Sequence, residues 1–273
     1  MILLVSGDSC ADLNFRSGAH PEIDFSDMTK WPEHLAEELG MELVCLAKSG
    51  SGNQYIYHTI LNQLMKYESP KDEVGLVIAG WSQAMRKDVQ VDDRWCNVRI
   101  NPDGNLRGWV NMTLRTMFSF QVLCERYELP YFHFQMGDLF EAYLDGIRMT
   151  ENERRVMNEQ KGNITLIEKG QAPSLGYKRL RYEGDADLHR KQIIRSMSEY
   201  DSMINNFVGW PPLRKDGMNP DLGGFNIHEK LLGLSLEQQL KKGWIISAED
   251  EHPNGEGHKG IADFLKEYYE SKH

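Results

Sequence analysis

Ser9 and His252 are the residues whose types suit them to act together. Ser9 stands on a Gly7-Asp8-Ser9-Cys10 turn directly after an apolar run, and His252 opens a His252-Pro253-Asn254 segment ahead of Gly257-His258. A serine hydroxyl is a weak nucleophile until a base accepts its proton, and imidazole is the usual base. The ring in turn needs a carboxylate to hold its useful tautomer. Glu249 and Asp250 stand three and two positions before His252, and the spacing admits either one, with a slight lean to Asp250. The negative oxygen that develops on an attacked carbonyl needs hydrogen-bond donors. Gly50 and Gly52, in Ser49-Gly50-Ser51-Gly52-Asn53, lie in a loop whose N–H groups can approach a substrate oxygen with no side chain in the way. The chemistry implied is acyl transfer through Ser9.

These groups lie near opposite ends of the sequence, so a fold must bring them to one place. The apolar run 1–6 reads as a buried parallel strand, and 31–39 as an amphipathic helix with Pro32 in its first turn and Gly40 at its stop. Residues 41–47 read as a second strand, 54–67 as a helix and 74–79 as a third strand. Residues 112–127 read as a long helix, 131–135 as a fourth strand, and 138–144 as the start of another helix. A last helix carries an apolar stripe over 260–269. Asn101-Pro102-Asp103-Gly104 is a turn signal, and a small hairpin is expected around it, between 88 and 110. Strand–helix alternation predicts a three-layer α/β/α domain with a parallel sheet, in which sites form at the carboxyl ends of the strands. One domain over 1–273 is expected, with an inserted cap or arm at about 145–245, where charge is high and periodicity weak.

Composition narrows the partners. A formal net charge of −10 argues against a nucleic-acid binder, which needs a basic face, and against a polybasic membrane anchor. Lys178-Arg179-Leu180-Arg181 with Arg190-Lys191 is read as a solvated charged stretch. No apolar run reaches the ~18 residues of a membrane span, and no secretory leader is visible. Cys10, Cys45, Cys96 and Cys124 have no metal spacing and read as unpaired thiols, which suits a reducing, cytoplasmic setting. His252 and His258 match no standard metal motif, so neither a metal nor another cofactor is expected. His258 and Asp8 are read as structural. Trp81, Trp95 and Trp109 are read as packing residues at least as readily as a sugar- or acyl-binding surface.

The sequence resembles the SGNH (or GDSL) hydrolases. Ser6-Gly7-Asp8-Ser9 with Asp12-Leu13 is similar to the family's first block. Ala47 to Asn53 is similar to its second, and Glu249-Asp250-Glu251-His252-Pro253-Asn254 to its last. The likeness covers roughly the first 85 and last 30 residues. It implies a flavodoxin-like fold, a Ser–His–Asp triad, and an oxyanion hole from the serine N–H, a glycine N–H and an asparagine amide. The third block departs from the pattern: Gly80-Trp81-Ser82-Gln83 lacks the usual asparagine. Ser82 stands in register with it, and Asn53 is a second candidate donor. Trp81-Ser82 with Arg86 resembles divergent, often virus-encoded, branches of the family.

The resemblance implies a hydrolase acting on a small-molecule or glycan acyl ester or amide. An O-acyltransferase shares the chemistry as far as the acyl-enzyme. A non-catalytic binding or assembly protein on the same scaffold is the reading from a different class, and the missing asparagine speaks for it.

Overall fold

The computed structural model describes residues 1–84, 86–91, 94–99, 106–136, 195–200, 203–210, 240–247 and 249–272. Ile2–Ser6 (β1) is apolar and buried along both faces, as a central parallel strand must be. It pairs in parallel with Glu42–Cys45 (β2) on one side and Val74–Trp81 (β3) on the other. Arg86–Val91 (β4) and Arg94–Arg99 (β5) form a separate antiparallel hairpin, and Tyr131–Gln135 (β6) pairs in parallel with β3. The main sheet therefore runs β2-β1-β3-β6. The chain steps from β1 to one side, then crosses back to the other. Loops leaving β1 and β3 meet that reversal at their carboxyl ends, the place where sites form in such sheets. Ser9 follows β1, and Ser82 follows β3.

Helices cover both faces. Trp31–Leu39 (α1) lies on one face, Asn53–Leu64 (α2) on the other, and Pro70–Glu73 (α3) is a single turn leading into β3. Leu106–Arg126 (α4) joins α2, and Gly255–Glu270 (α5) packs against α1. The period-2 alternation of the strands divides the core accordingly. Leu3, Val5, Leu76 and Ile78 pack with Trp31, Leu35, Ile261 and Leu265. Leu4, Val77, Ala79 and Trp81 pack with Ile56, Ile60, Leu114 and Phe120. Each such aliphatic side chain contributes roughly 1.5–3 kcal/mol by leaving water. The architecture is the three-layer α/β/α sheet that the alternation predicts.

Three details differ from the sequence-based expectation. The hairpin strands pair from Arg86↔Arg99 to Val91↔Arg94, so their turn falls between 91 and 94. The Asn101–Gly104 signal comes after the hairpin and lies outside the described residues. Helix α4 starts six residues earlier than expected, because Gly108 weakens the helical signal of its first turn. Helix α5 starts at Gly255, hidden by its own glycines; Asn254 caps it by accepting from the Gly257 N–H at 3.1 Å. Gly257 is required there, since a Cβ would come within 2.1 Å of the Trp244 carbonyl oxygen. The helix expected from 138, the basic stretch 178–191 and most of the expected insertion lie outside the described residues.

His133, on β6, is fully buried. The Trp81 indole N–H donates to its Nδ1 at 2.9 Å, so its own proton sits on Nε2, facing the Asn205 carbonyl at 2.9 Å. Burial pushes its pKa down to about 3. The ring ties residues 205–208 to the outer edge of β6, where Val208 donates to the His133 carbonyl.

Candidate active site

Ser9 Oγ lies 2.7 Å from His252 Nε2, and His252 Nδ1 lies 2.5 Å from Asp250 Oδ1. An ionised carboxylate only accepts, so Nδ1 carries the ring proton and Nε2 is left to accept from the serine hydroxyl. The turn that carries Ser9 is closed by the Ala11 N–H donating to the Asp8 carbonyl, 3.0 Å. His252 sits on a tight loop before α5. In that loop the Ile246 N–H donates to the His252 carbonyl and the Ser247 N–H to the Asp250 carbonyl. Phe15 stacks on the imidazole, with ring centres 4.3 Å apart and planes 28° apart. One face of the ring is therefore bedded on carbon.

The structure brings Asp250 to the histidine and leaves Glu249 in solvent. Asp250 retains 6% of its surface, whereas Glu249 is exposed. Asp250 Oδ1 also accepts from the His252 N–H at 3.1 Å, and Oδ2 accepts from the Ser17 hydroxyl. Ser247 Oγ accepts from the N–H groups of both Glu249 and Asp250 and lies 2.7 Å from His20 Nε2. Burial raises the Asp250 pKa, but the hydrogen bonds from Ser17 and His252 outweigh it, and the carboxyl lies below its ordinary value.

The expected oxyanion donors are placed less uniformly. Gly52 donates its N–H to Asp88 Oδ1 at 2.8 Å, and Tyr55 donates to Asp88 Oδ2 at 2.9 Å. The Ser82 hydroxyl donates to Asp8 Oδ2 at 2.9 Å and accepts from Arg86 Nη1 at 2.8 Å. Both of these expected donors are thus engaged with carboxylates of the chain itself. Asn53 is different. Its Oδ1 accepts from the Ser82 N–H at 2.9 Å, while its Nδ2 is buried and has no acceptor among the described residues. The N–H groups of Ser9 and Gly50 likewise have none there. Gly50 holds φ +80° with open space around it.

Ser17, Phe15, Arg86 and Asp88 complete these contacts, and sequence reasoning gave none of them a role. One signal pointed toward Asp88. Helix α2 has Gly52 at its N-cap, with no side chain to cap it, so its first-turn N–H groups need an acceptor from elsewhere. Of the residues read as structural, Asp8 holds Ser82 beside the Ser9 turn, and His258 packs at the helix α1 start. His258 is buried in the first turn of α5 and accepts from the Trp31 N–H at 3.3 Å. Cys10 is buried, and burial pushes its thiol well up. Trp81 is in the core, and Trp95 packs edge-on against Tyr55; the Trp109 side chain lies outside what is described. No group of three or more potential metal ligands occurs among the described residues.

Fold and site together define a parallel α/β/α sandwich carrying a serine–histidine–aspartate cluster at its topological reversal. No protein-family model matches the chain, and no curated protein matches it either. Solved structures do, and several are SGNH or GDSL hydrolases. A G-D-S-L family protein from Desulfitobacterium hafniense aligns over 97% of this chain and 98% of its own, at 10% identity and a TM-score of 0.47. The psychrotrophic esterase EstA from Pseudoalteromonas sp. aligns over 97% and 94%, at 12% identity and 0.45. The acetyl xylan esterase AlAXEase aligns over 98% and 99%, at 11% identity and 0.45.

Proposed function

We propose that the chain is a serine hydrolase that removes a small acyl group, such as acetyl, from an ester. The observation that carries this reading is the unbroken run of hydrogen bonds from Asp250 through His252 to Ser9 Oγ. Ser9 Oγ attacks the acyl carbon while His252 Nε2 takes its proton. The carbon–oxygen bond to the leaving alcohol then breaks, and His252 returns that proton to the alcohol. Water attacks the resulting acyl-serine with His252 again as base; the acid departs and Ser9 regains its proton. Asp250 holds the ring in the tautomer with hydrogen on Nδ1 and stabilises the imidazolium. The oxyanion is received by the Ser9 N–H and Asn53 Nδ2, with Gly50 the glycine whose N–H has no acceptor among the described residues.

Ser9→Ala tests this directly. Turnover of 4-nitrophenyl acetate should fall at least ~1,000-fold, as loss of a triad nucleophile does, with the thermal midpoint near that of the wild type. Equal activity in the two proteins sinks the proposal. A second reading, a binding protein on the same scaffold, draws on the engaged Gly52 and Ser82 donors. A fluorophosphonate probe separates the two: covalent labelling at Ser9 supports the hydrolase, and no labelling supports the binding protein.

A further inference from the structure

We infer that Asp88 is a positioning residue for this reaction, holding Asn53 where its amide meets the oxyanion. The inference rests on the hydrolase reading above. Helix α2 starts with a glycine cap, so its first-turn N–H groups depend on an acceptor from another element. Asp88, on the neighbouring hairpin strand β4, supplies both oxygens of one buried carboxylate. They accept from the N–H groups of Gly52 and Tyr55, the residues that bracket Asn53 and Gln54. A carboxylate at a helix N-terminus is favoured by the helix dipole, and its hydrogen bonds are of the stronger, charge-assisted kind.

The same contact removes Gly52 from the reaction. The hairpin backbone lies so close that a Cβ at Gly52 would meet the Arg86 carbonyl at 2.6 Å and Asp88 Oδ2 at 2.8 Å. No room remains for a substrate oxygen, and a second anion beside that carboxylate would be repelled. Asn53 then stands as the first helical residue, with Oδ1 pinned by the Ser82 N–H and Nδ2 buried and without an acceptor among the described residues. A buried N–H without an acceptor is costly, and such groups gather where a ligand completes them. Arg86 lies two residues before Asp88, on the same face of β4. It reaches Ser82 Oγ at 2.8 Å, and Asp8 Oδ2 and the Ser51 carbonyl at 3.4 Å each. One strand thereby braces the nucleophile turn and the oxyanion loop together.

A double-mutant cycle on the full chain tests the assignment. Wild type, Asn53→Ala, Asp88→Ala and the double variant are compared by kcat/KM on 4-nitrophenyl acetate and by the rate of Ser9 labelling with a fluorophosphonate. In that labelling Ser9 Oγ bonds to phosphorus, fluoride leaves, and a phosphoryl oxygen takes the oxyanion position. Each single change should lower both rates about 30- to 100-fold with KM nearly constant, and the double variant should be no slower than Asn53→Ala alone. Losses that multiply in the double variant overturn the assignment, as does an Asp88→Ala that is faster than wild type. Asp88→Asn keeps one acceptor oxygen and should show an intermediate loss; it replaces the alanine in the cycle if Asp88→Ala does not fold. Wild type that neither turns over nor labels overturns the hydrolase reading and this assignment with it. Labelled wild type with multiplying losses overturns this assignment alone.

Discussion

On the imidazole side of Ser9, the hydrogen bonds form one line that starts at the hydroxyl: Ser9 donates to His252, His252 donates to Asp250, and Ser17 donates to the same carboxylate. On the amide side, they end on other carboxylates. Gly52 gives its N–H to Asp88, and Ser82 gives its hydroxyl to Asp8. The first side is a line of hydrogen bonds made between side chains. The second is a scaffold in which Gly52 and Ser82 hold the protein together, while Asn53 Nδ2 and the Ser9 and Gly50 N–H groups have no acceptor among the described residues. The contrast teaches that a group suited to catalysis by type is available only if no closer acceptor has claimed it.

The largest effect that would sharpen this contrast lies on the imidazole side. Asp250→Asn should lower kcat on 4-nitrophenyl acetate ~100- to 10,000-fold, because the amide favours the wrong imidazole tautomer. Glu249→Gln should stay within about twofold, since an exposed side chain off that line has little to lose. Equal losses in the two variants would break the assignment of the acid. On the scaffold side, Asn53→Ala should cost about 100-fold in kcat, against less than about tenfold for Ser82→Ala. A reversed order would make the serine the true donor.

The smallest effect concerns pH. The folded-state pKa of Asp250 lies below its ordinary value. Its contribution to stability is therefore complete above the unfolded carboxyl pKa near ~3.9 and is lost as pH falls through the lowered folded value. Ser17→Ala removes one of the bonds that lower it, so the acid-unfolding midpoint should move to higher pH, with kcat at neutral pH falling only a few-fold. An unchanged midpoint would show that Ser17 does not tune the carboxylate.

What the sequence made legible follows the same division. The strands β1, β3 and β6 were readable because buried parallel strands are runs of apolar residues. Ser9 and His252 stood out because a turn serine after a strand and a histidine beside acids are rare in type and act through side chains. The choice between Glu249 and Asp250 was not legible: it depends on Phe15 and Ser17, which pack on the ring and the carboxylate from a loop far off in sequence. Nor were the engaged amides. A glycine N–H looks the same in any sequence, and what claims it here is an acid on a hairpin 36 positions later. The true start of α5 was masked by the glycine that a close backbone approach requires.

The docking of α5 against α1 and the sheet has a consequence for biosynthesis. Residues 1–136 carry the strands and the serine, but the imidazole and its carboxylate reach that serine only when the segment around 250–270 has left the ribosome and packed. Chains generally fold from the N-terminus as they are made, and contacts distant in sequence close late. A nascent polypeptide thus carries the Ser9 turn well before the His252 imidazole is available to meet it.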